Sequence, residues 1–136
     1  LNLPRTFEPQ WRPFVNDADF AEIRELVKDY YEGMVYGRSE ALARVFETGA
    51  RFQGVRDDDQ VRRGLPEFLT MIASAGDEPL PASEYSVSVE LIDVMGTVGV
   101  VKVKDRFRGR MYVDYLTLVR TAAGWRIVNK AFTTID

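Results

Sequence analysis

A chain of 136 residues, 46% apolar and 29% charged, has the make-up of one ordinary globular domain large enough to bury a core. Eighteen Lys and Arg stand against 21 Asp and Glu, a net charge of −3 that offers no basic surface to nucleic acid. Cysteine and histidine are both absent, which excludes disulfides, thiolate and Ser-His-Asp catalysis and the commonest zinc and iron ligands. Any acid–base chemistry falls to Asp, Glu, Tyr, Lys or water.

Pro4, Pro9 and Pro13 forbid a helix at the start. Residues 1–16 read as a proline-rich arm carrying Phe7, Trp11 and Phe14 onto the domain or a second subunit, and residues 17–136 as a single domain. The start does not read as a signal peptide and no apolar run approaches a membrane span, so the cytoplasm is the default compartment and no membrane partner is expected. Asp19 and Glu22 form a capping-box-like pair. After them Phe20, Ile23, Val27, Tyr30 and Met34 recur at helical spacing, widened by Leu26 and Tyr31, until Gly37 stops the helix. Ser39 caps a shorter helix whose Leu42, Val45 and Phe46 face inward.

Ala50 to Val55 reads as a strand, Asp57-Asp58-Asp59 as a turn and Gln60 to Arg63 as a second strand. Pro66 suits the first turn of a third helix with Phe68, Leu69, Met71 and Ile72 inward and Gly76 as its stop. Asp77 to Ser83 has a loop composition. Beyond it Tyr85, Val87, Val89 and Leu91 alternate with polar residues, the mark of a half-buried strand. Turns at Gly96, Arg108-Gly109 and Ala123-Gly124 divide the rest into about four strands. Helices first and a meander of long strands last make an α+β pattern.

Asp114, between Val113 and Tyr115 in a run built for packing, is the first candidate for chemistry, because a buried carboxyl must be paired, hydrogen-bonded or protonated. It shares a face with Tyr112, Leu116 and Leu118. Lys130, on the facing strand with Val128 and Phe132, is its candidate ion-pair partner. If the two meet, both stay charged and Lys130 becomes the contact for an anionic ligand. If they do not, Asp114 is free to be a neutral donor. Tyr30 lies on the buried stripe of its helix and reads equally as a core tyrosine. The three consecutive aspartates point different ways along the chain, so a solvated turn is the ordinary reading, with Asp57 the one that could reach a pocket as a base. Lys102, Lys104, Arg106, Arg108 and Arg110 read as a solvated sheet edge or as an attractor of anions. No metal, nucleotide or flavin motif is present, and no cofactor or metal is expected.

The order of elements, the ARF strand at Ala50 to Phe52, YYEG at Tyr30 to Gly33 and VDYLTLVRTAAGWRIVNKAF at Val113 to Phe132 resemble the nuclear transport factor 2-like superfamily, with its ketosteroid isomerase and SnoaL-like members, and most closely its putative lumazine-binding group. The resemblance implies a cystatin-like cone: a strongly curved, mainly antiparallel sheet wrapped around three helices, with a conical apolar pocket. It also implies a homodimer paired through the outer sheet face. Compared with ketosteroid isomerase, Tyr30 falls at the oxyanion-hole tyrosine and Asp114 at the aspartic acid that donates the second hydrogen bond. The general base falls at Gly54, which cannot serve. The resemblance therefore implies a small apolar or aromatic ligand with a carbonyl or phenolic oxygen held by Tyr30 and Asp114. Phe46, Phe52, Phe68, Met71, Tyr112, Leu116, Lys130 and Phe132 would line the site. Isomerisation, cyclisation or dehydration without a cofactor, simple ligand carriage, and a collapsed-pocket interaction module anchored by Tyr115 and Trp11 all stay open.

Overall fold

The apolar stripe of the first helix dictates the layout. In a computed structural model describing residues 17–74, 81 and 85–135, α1 (Asp17–Val35) buries Ile23, Leu26, Val27, Tyr30, Tyr31 and Met34. Gly37 then takes a left-handed φ of 66° and the Arg38 N–H bonds the Gly33 carbonyl at 2.8 Å, which ends the helix. The short α2 (Ser39–Val45) passes directly into β1 (Phe46–Arg56). Asp57 and Asp58 form a tight turn, both at positive φ, into β2 (Asp59–Gly64). Pro66 sits in the first turn of α3 (Leu65–Ala73), whose buried residues are Leu65, Phe68 and Ile72. The expected stop at Gly76 lies outside the described residues, as do the arm at 1–16 and the loop at Asp77 to Ser83 apart from Pro81.

Four long strands complete the chain: β3 (Ser86–Met95), β4 (Val98–Phe107), β5 (Arg110–Thr121) and β6 (Gly124–Thr134). The curved six-stranded sheet has the order β2-β1-β6-β5-β4-β3, antiparallel except where β1 runs parallel to β6. The three helices pack against its inner face, and α1 is tied to the last hairpin by polar contacts as well as by its stripe. Asp19 lies inside the first turn of α1 and accepts the Trp125 indole N–H at 3.0 Å, while Glu22 accepts the Trp125 backbone N–H at 2.7 Å. The two acids expected to form a capping pair thus reach across to β6.

Two bulges re-aim side chains, and a strict alternation does not find them. In β5–β6, Leu118 pairs with Ile127 but Thr117 pairs with Asn129, leaving Val128 as the extra residue. Trp125 and Ile127 therefore face the core, yet Lys130 and Phe132, opposite Leu116 and Asp114, face inward as well. Val128, which its spacing placed on their face, is the unpaired residue of the bulge. In β3 a shift at Glu90 puts Leu91 opposite outward-facing Lys102, and Ile92 and Val94 turn inward instead. Val87, Val89 and Leu91 are 45%, 42% and 49% exposed, so this edge strand is not the half-buried one its pattern predicted. The edges of the sheet are β2 and β3. The basic ribbon on β4 and β5 is therefore interior to the sheet and does not guard an edge.

Candidate functional site

Three strands and one helix bring four ionisable groups together beneath the sheet. On β5, Asp114 is 1% exposed between Leu116 and the β6 residue Phe132 that it faces. From α1 the fully buried Tyr30 donates its hydroxyl to Asp114 Oδ2 at 3.0 Å. From β6 Lys130 brings Nζ to 3.9 Å from the same oxygen, with side chains 11% and 1% exposed. The fourth group, Asp105 on β4, is 2% exposed. It lies on the inner face because Val101, Val103 and Asp105 alternate inward, a pattern legible in VVKVKD once β4 is placed in the sheet's interior. In the sequence alone, its basic neighbours Lys102, Lys104 and Arg106 give it no distinction.

Burial and mutual charge displace the titration of two of these groups, Asp105 and Tyr30. Burial, a hydrogen bond with Asp114 and the negative charge of Asp114 push the Asp105 carboxyl up to about 9, against a smaller opposing pull from Lys130. Asp105 Oδ2 and Asp114 Oδ1 are the two buried side-chain oxygens among the described residues that no N–H or hydroxyl reaches. One carboxyl proton held by Asp105 and shared with Asp114 answers both at once. Burial and the neighbouring carboxylates likewise raise the Tyr30 phenol well above its usual range, so it stays a donor. Asp105 thus offers a neutral acid beside Asp114, which accepts from Tyr30 and faces Lys130.

Lys130 separates this cluster from an open cavity of about 260 Å³. Its ammonium sits over the rings of Tyr30 at 5.2 Å, Phe68 at 5.4 Å and Phe132 at 5.8 Å. Aromatic and sulfur side chains form the cavity wall: Phe52 from β1, Phe68 and Met71 from α3, Tyr112 from β5, Phe132 from β6 and Met34 from α1. Phe52 and Phe68 stack at 4.2 Å and 19°, a flat surface for a flat ligand. Val61 from β2, Phe107 from β4 and the four arginines Arg56, Arg63, Arg108 and Arg110 complete the lining. Other grooves of comparable volume run along α1 and α2, but their walls are mostly charged surface residues such as Glu22, Glu25, Asp29 and Arg44.

Of the residues singled out from sequence, Phe52, Phe68, Met71, Tyr112, Lys130 and Phe132 line this cavity. Phe46 and Leu116 are buried behind it, Phe46 touching Tyr30, Phe52 and Phe68. Tyr30 and Asp114 are joined to each other and to Lys130, and neither lines the cavity. At Gly54, paired with Phe132, an added Cβ would lie 2.5 Å from the Phe132 carbonyl oxygen and 2.7 Å from its ring. The Phe132 ring occupies the space a side chain there would enter. Asp57 projects from its turn and receives two hydrogen bonds from Arg110 at 2.8 and 3.1 Å, which hold its carboxyl below the usual range. Arg56 and Arg63 were not foreseen as lining residues; on adjacent short strands nothing in their spacing marks a concave side. Among the described residues no cluster of three or more acids could hold a metal ion, and no helix is long and apolar enough to cross a membrane.

A family model described as putative lumazine-binding matches residues 18–133. Among solved structures, the chain is similar to a nuclear transport factor 2-like protein of unknown function from Silicibacter pomeroyi, with a TM-score of 0.82 and 23% identity over 89% of this chain and 99% of that one. A second such protein, from Methylobacillus flagellatus, gives 0.79 and 24% identity over 90% and 96% of the two chains. A domain with a cystatin-like fold from Nostoc punctiforme gives 0.71 and 18% over 90% and 80%. At these identities the likeness is one of fold. Comparison with curated proteins finds no match.

Proposed function

Since the chain belongs to the family described as putative lumazine-binding, within the nuclear transport factor 2-like superfamily, we propose that it binds a small, flat, largely aromatic molecule and holds one of its oxygens with Lys130. The observation that carries this reading is the lysine itself. Its ammonium projects to the floor of an aromatic cavity, 11% exposed, with Asp114 behind it to fix its position. A concave apolar wall with one convergent polar group is the usual anatomy of a small-molecule site. Tyr30 and Asp114 then act as positioning residues through Lys130.

Titration with 2-naphthamide, a neutral bicycle with one carbonyl oxygen, tests the reading. Binding should weaken in Lys130→Met and vanish in Val61→Trp, which fills the cavity from β2 without touching the buried acids. Undiminished binding in both variants would place the ligand elsewhere.

A catalytic reading has one observation of its own. Asp105 keeps a proton at neutral pH and is linked through Asp114 to an ammonium on the cavity wall, a route by which a proton could reach the oxygen of an enolisable ketone while cavity water takes up the α-hydrogen. Deuterium exchange at the α-carbon of 2-tetralone, abolished in Lys130→Met, would support it; an exchange rate equal to that of buffer would leave a carrier. We also propose a homodimer through the outer sheet face, where Leu91, Met95, Val98 and Tyr115 are each nearly half exposed. Sedimentation of Tyr115→Lys against the parent chain tests this directly.

A further inference from the structure

We infer that the ligand is an aromatic oxyanion, a carboxylate or phosphate, whose charged group lies against the arginines while its ring lies on the Phe52–Phe68 surface. The inference rests on the ligand-binding reading above and narrows the class of molecule.

The argument is one of charge placement. The chain as a whole is acidic, at −3, yet its cavity is lined by Lys130 and four arginines and by no carboxylate. Two of these cations are answered nearby: Lys130 by Asp114, and Arg110 by the paired hydrogen bonds to Asp57. Arg56 adds a weaker attraction to that same Asp57. Arg63 and Arg108 have no ion-pair partner among the described residues. Arg63, half-buried, directs an Nη1–H at the Met71 sulfur at 2.8 Å, a poor acceptor for a guanidinium. Arg108 stacks its guanidinium over Phe107 at 5.0 Å. Its φ of 52° puts a non-glycine residue in the left-handed region at the tip of the β4–β5 hairpin.

A neutral ring entering here would strip water from these guanidiniums and return only cation–π contact. An oxyanion replaces that water with charge-assisted hydrogen bonds in the forked geometry that guanidinium offers to carboxylate and phosphate alike. The floor lysine, already paired, is the weaker attractor of net charge. The arginines therefore set the ligand's sign and its orientation, acid outward and ring inward, with Lys130 left to meet a second oxygen at the inner end of the ring.

Calorimetric titration of the full chain with 2-naphthoate, 2-naphthyl phosphate and 2-naphthamide separates the possibilities. At low salt at least one of the two anions should bind about tenfold or more tighter than the amide, and its advantage should shrink as sodium chloride is raised. Whichever anion is preferred names the head group. In Arg63→Gln/Arg108→Gln, with folding checked by circular dichroism, the preference should collapse through a fall in the anion's affinity. An amide that binds as tightly as both anions overturns the inference and leaves the ligand-binding reading standing. A preference that survives the double variant overturns the assignment to these arginines. Failure of all three probes to bind removes the aromatic-ligand reading and this one with it.

Discussion

Replacing Asp105 with Asn should make the protein more stable, and increasingly so as pH rises. The carboxyl is 2% exposed and is pushed from 3.8 in the open chain to about 9 in the fold. Between those values the folded state holds a proton that the unfolded state has released, so folding stability falls with rising pH until the folded group too has titrated. Each pH unit in that window removes up to about 1.4 kcal/mol. From pH 5 to pH 8, inside the window, the loss reaches roughly 4 kcal/mol for an isolated group. Sharing of the proton with Asp114 lowers the expected figure to roughly 2–4 kcal/mol. Asn has the same shape and offers an N–H where the acid offered its proton, so Asp105→Asn keeps the bond to Asp114 and loses the titration. Urea unfolding of both proteins at pH 5, 6, 7 and 8 reads the effect as a gap that widens with pH. Parallel stability profiles would refute the reasoning, since they would mean that Asp105 is ionised in the fold at neutral pH.

Tyr30→Phe removes a 3.0 Å bond to a buried carboxylate and should lower stability by about 1.5–3 kcal/mol by urea unfolding; a loss under about 0.5 kcal/mol would show the bond to be dispensable. Lys130→Met leaves Asp114 without its cation, at a predicted loss of about 3 kcal/mol at neutral pH. Its partner variant Lys130→Met/Asp114→Asn should recover much of that loss, and a double variant no better than the single one would deny the pair any role. Gly54→Ala forces its new methyl onto the Phe132 carbonyl and ring and should lower stability by about 1–3 kcal/mol. A variant as stable as the parent would show that Phe132 moves aside freely.

The parts of the fold legible in the sequence are those governed by local rules. The stripe from Phe20 to Met34, the stop at Gly37, Pro66 at the start of α3, and the turns at Gly96, Arg108-Gly109 and Ala123-Gly124 all depend on neighbours a few residues away, and all are found where expected. What was not legible depends on the sheet. A bulge inserts one residue and reverses every later side chain, so Leu91 turns to the other face and Val128 falls out of the pairing. Asp105 sat unremarked among Lys102, Lys104 and Arg106 because only pairing to β5 places it beside Asp114. The same holds for Arg56 and Arg63: they become cavity residues only when the sheet curves around α3.

The parallel pairing of β1 with β6 has a consequence for how the molecule assembles. Residues around Phe52 must meet residues around Lys130, more than half the chain away in sequence, and β6 is a central strand between β1 and β5. Contacts of such long range slow folding and leave hydrophobic strands unsatisfied until they form. Without β6, β1–β2 and β3–β5 share no strand ladder, because among the described residues β6 is the only strand that pairs with both β1 and β5. The strand that joins the halves also brings Lys130 and Phe132, so closure of the sheet and completion of the cavity wall are a single event.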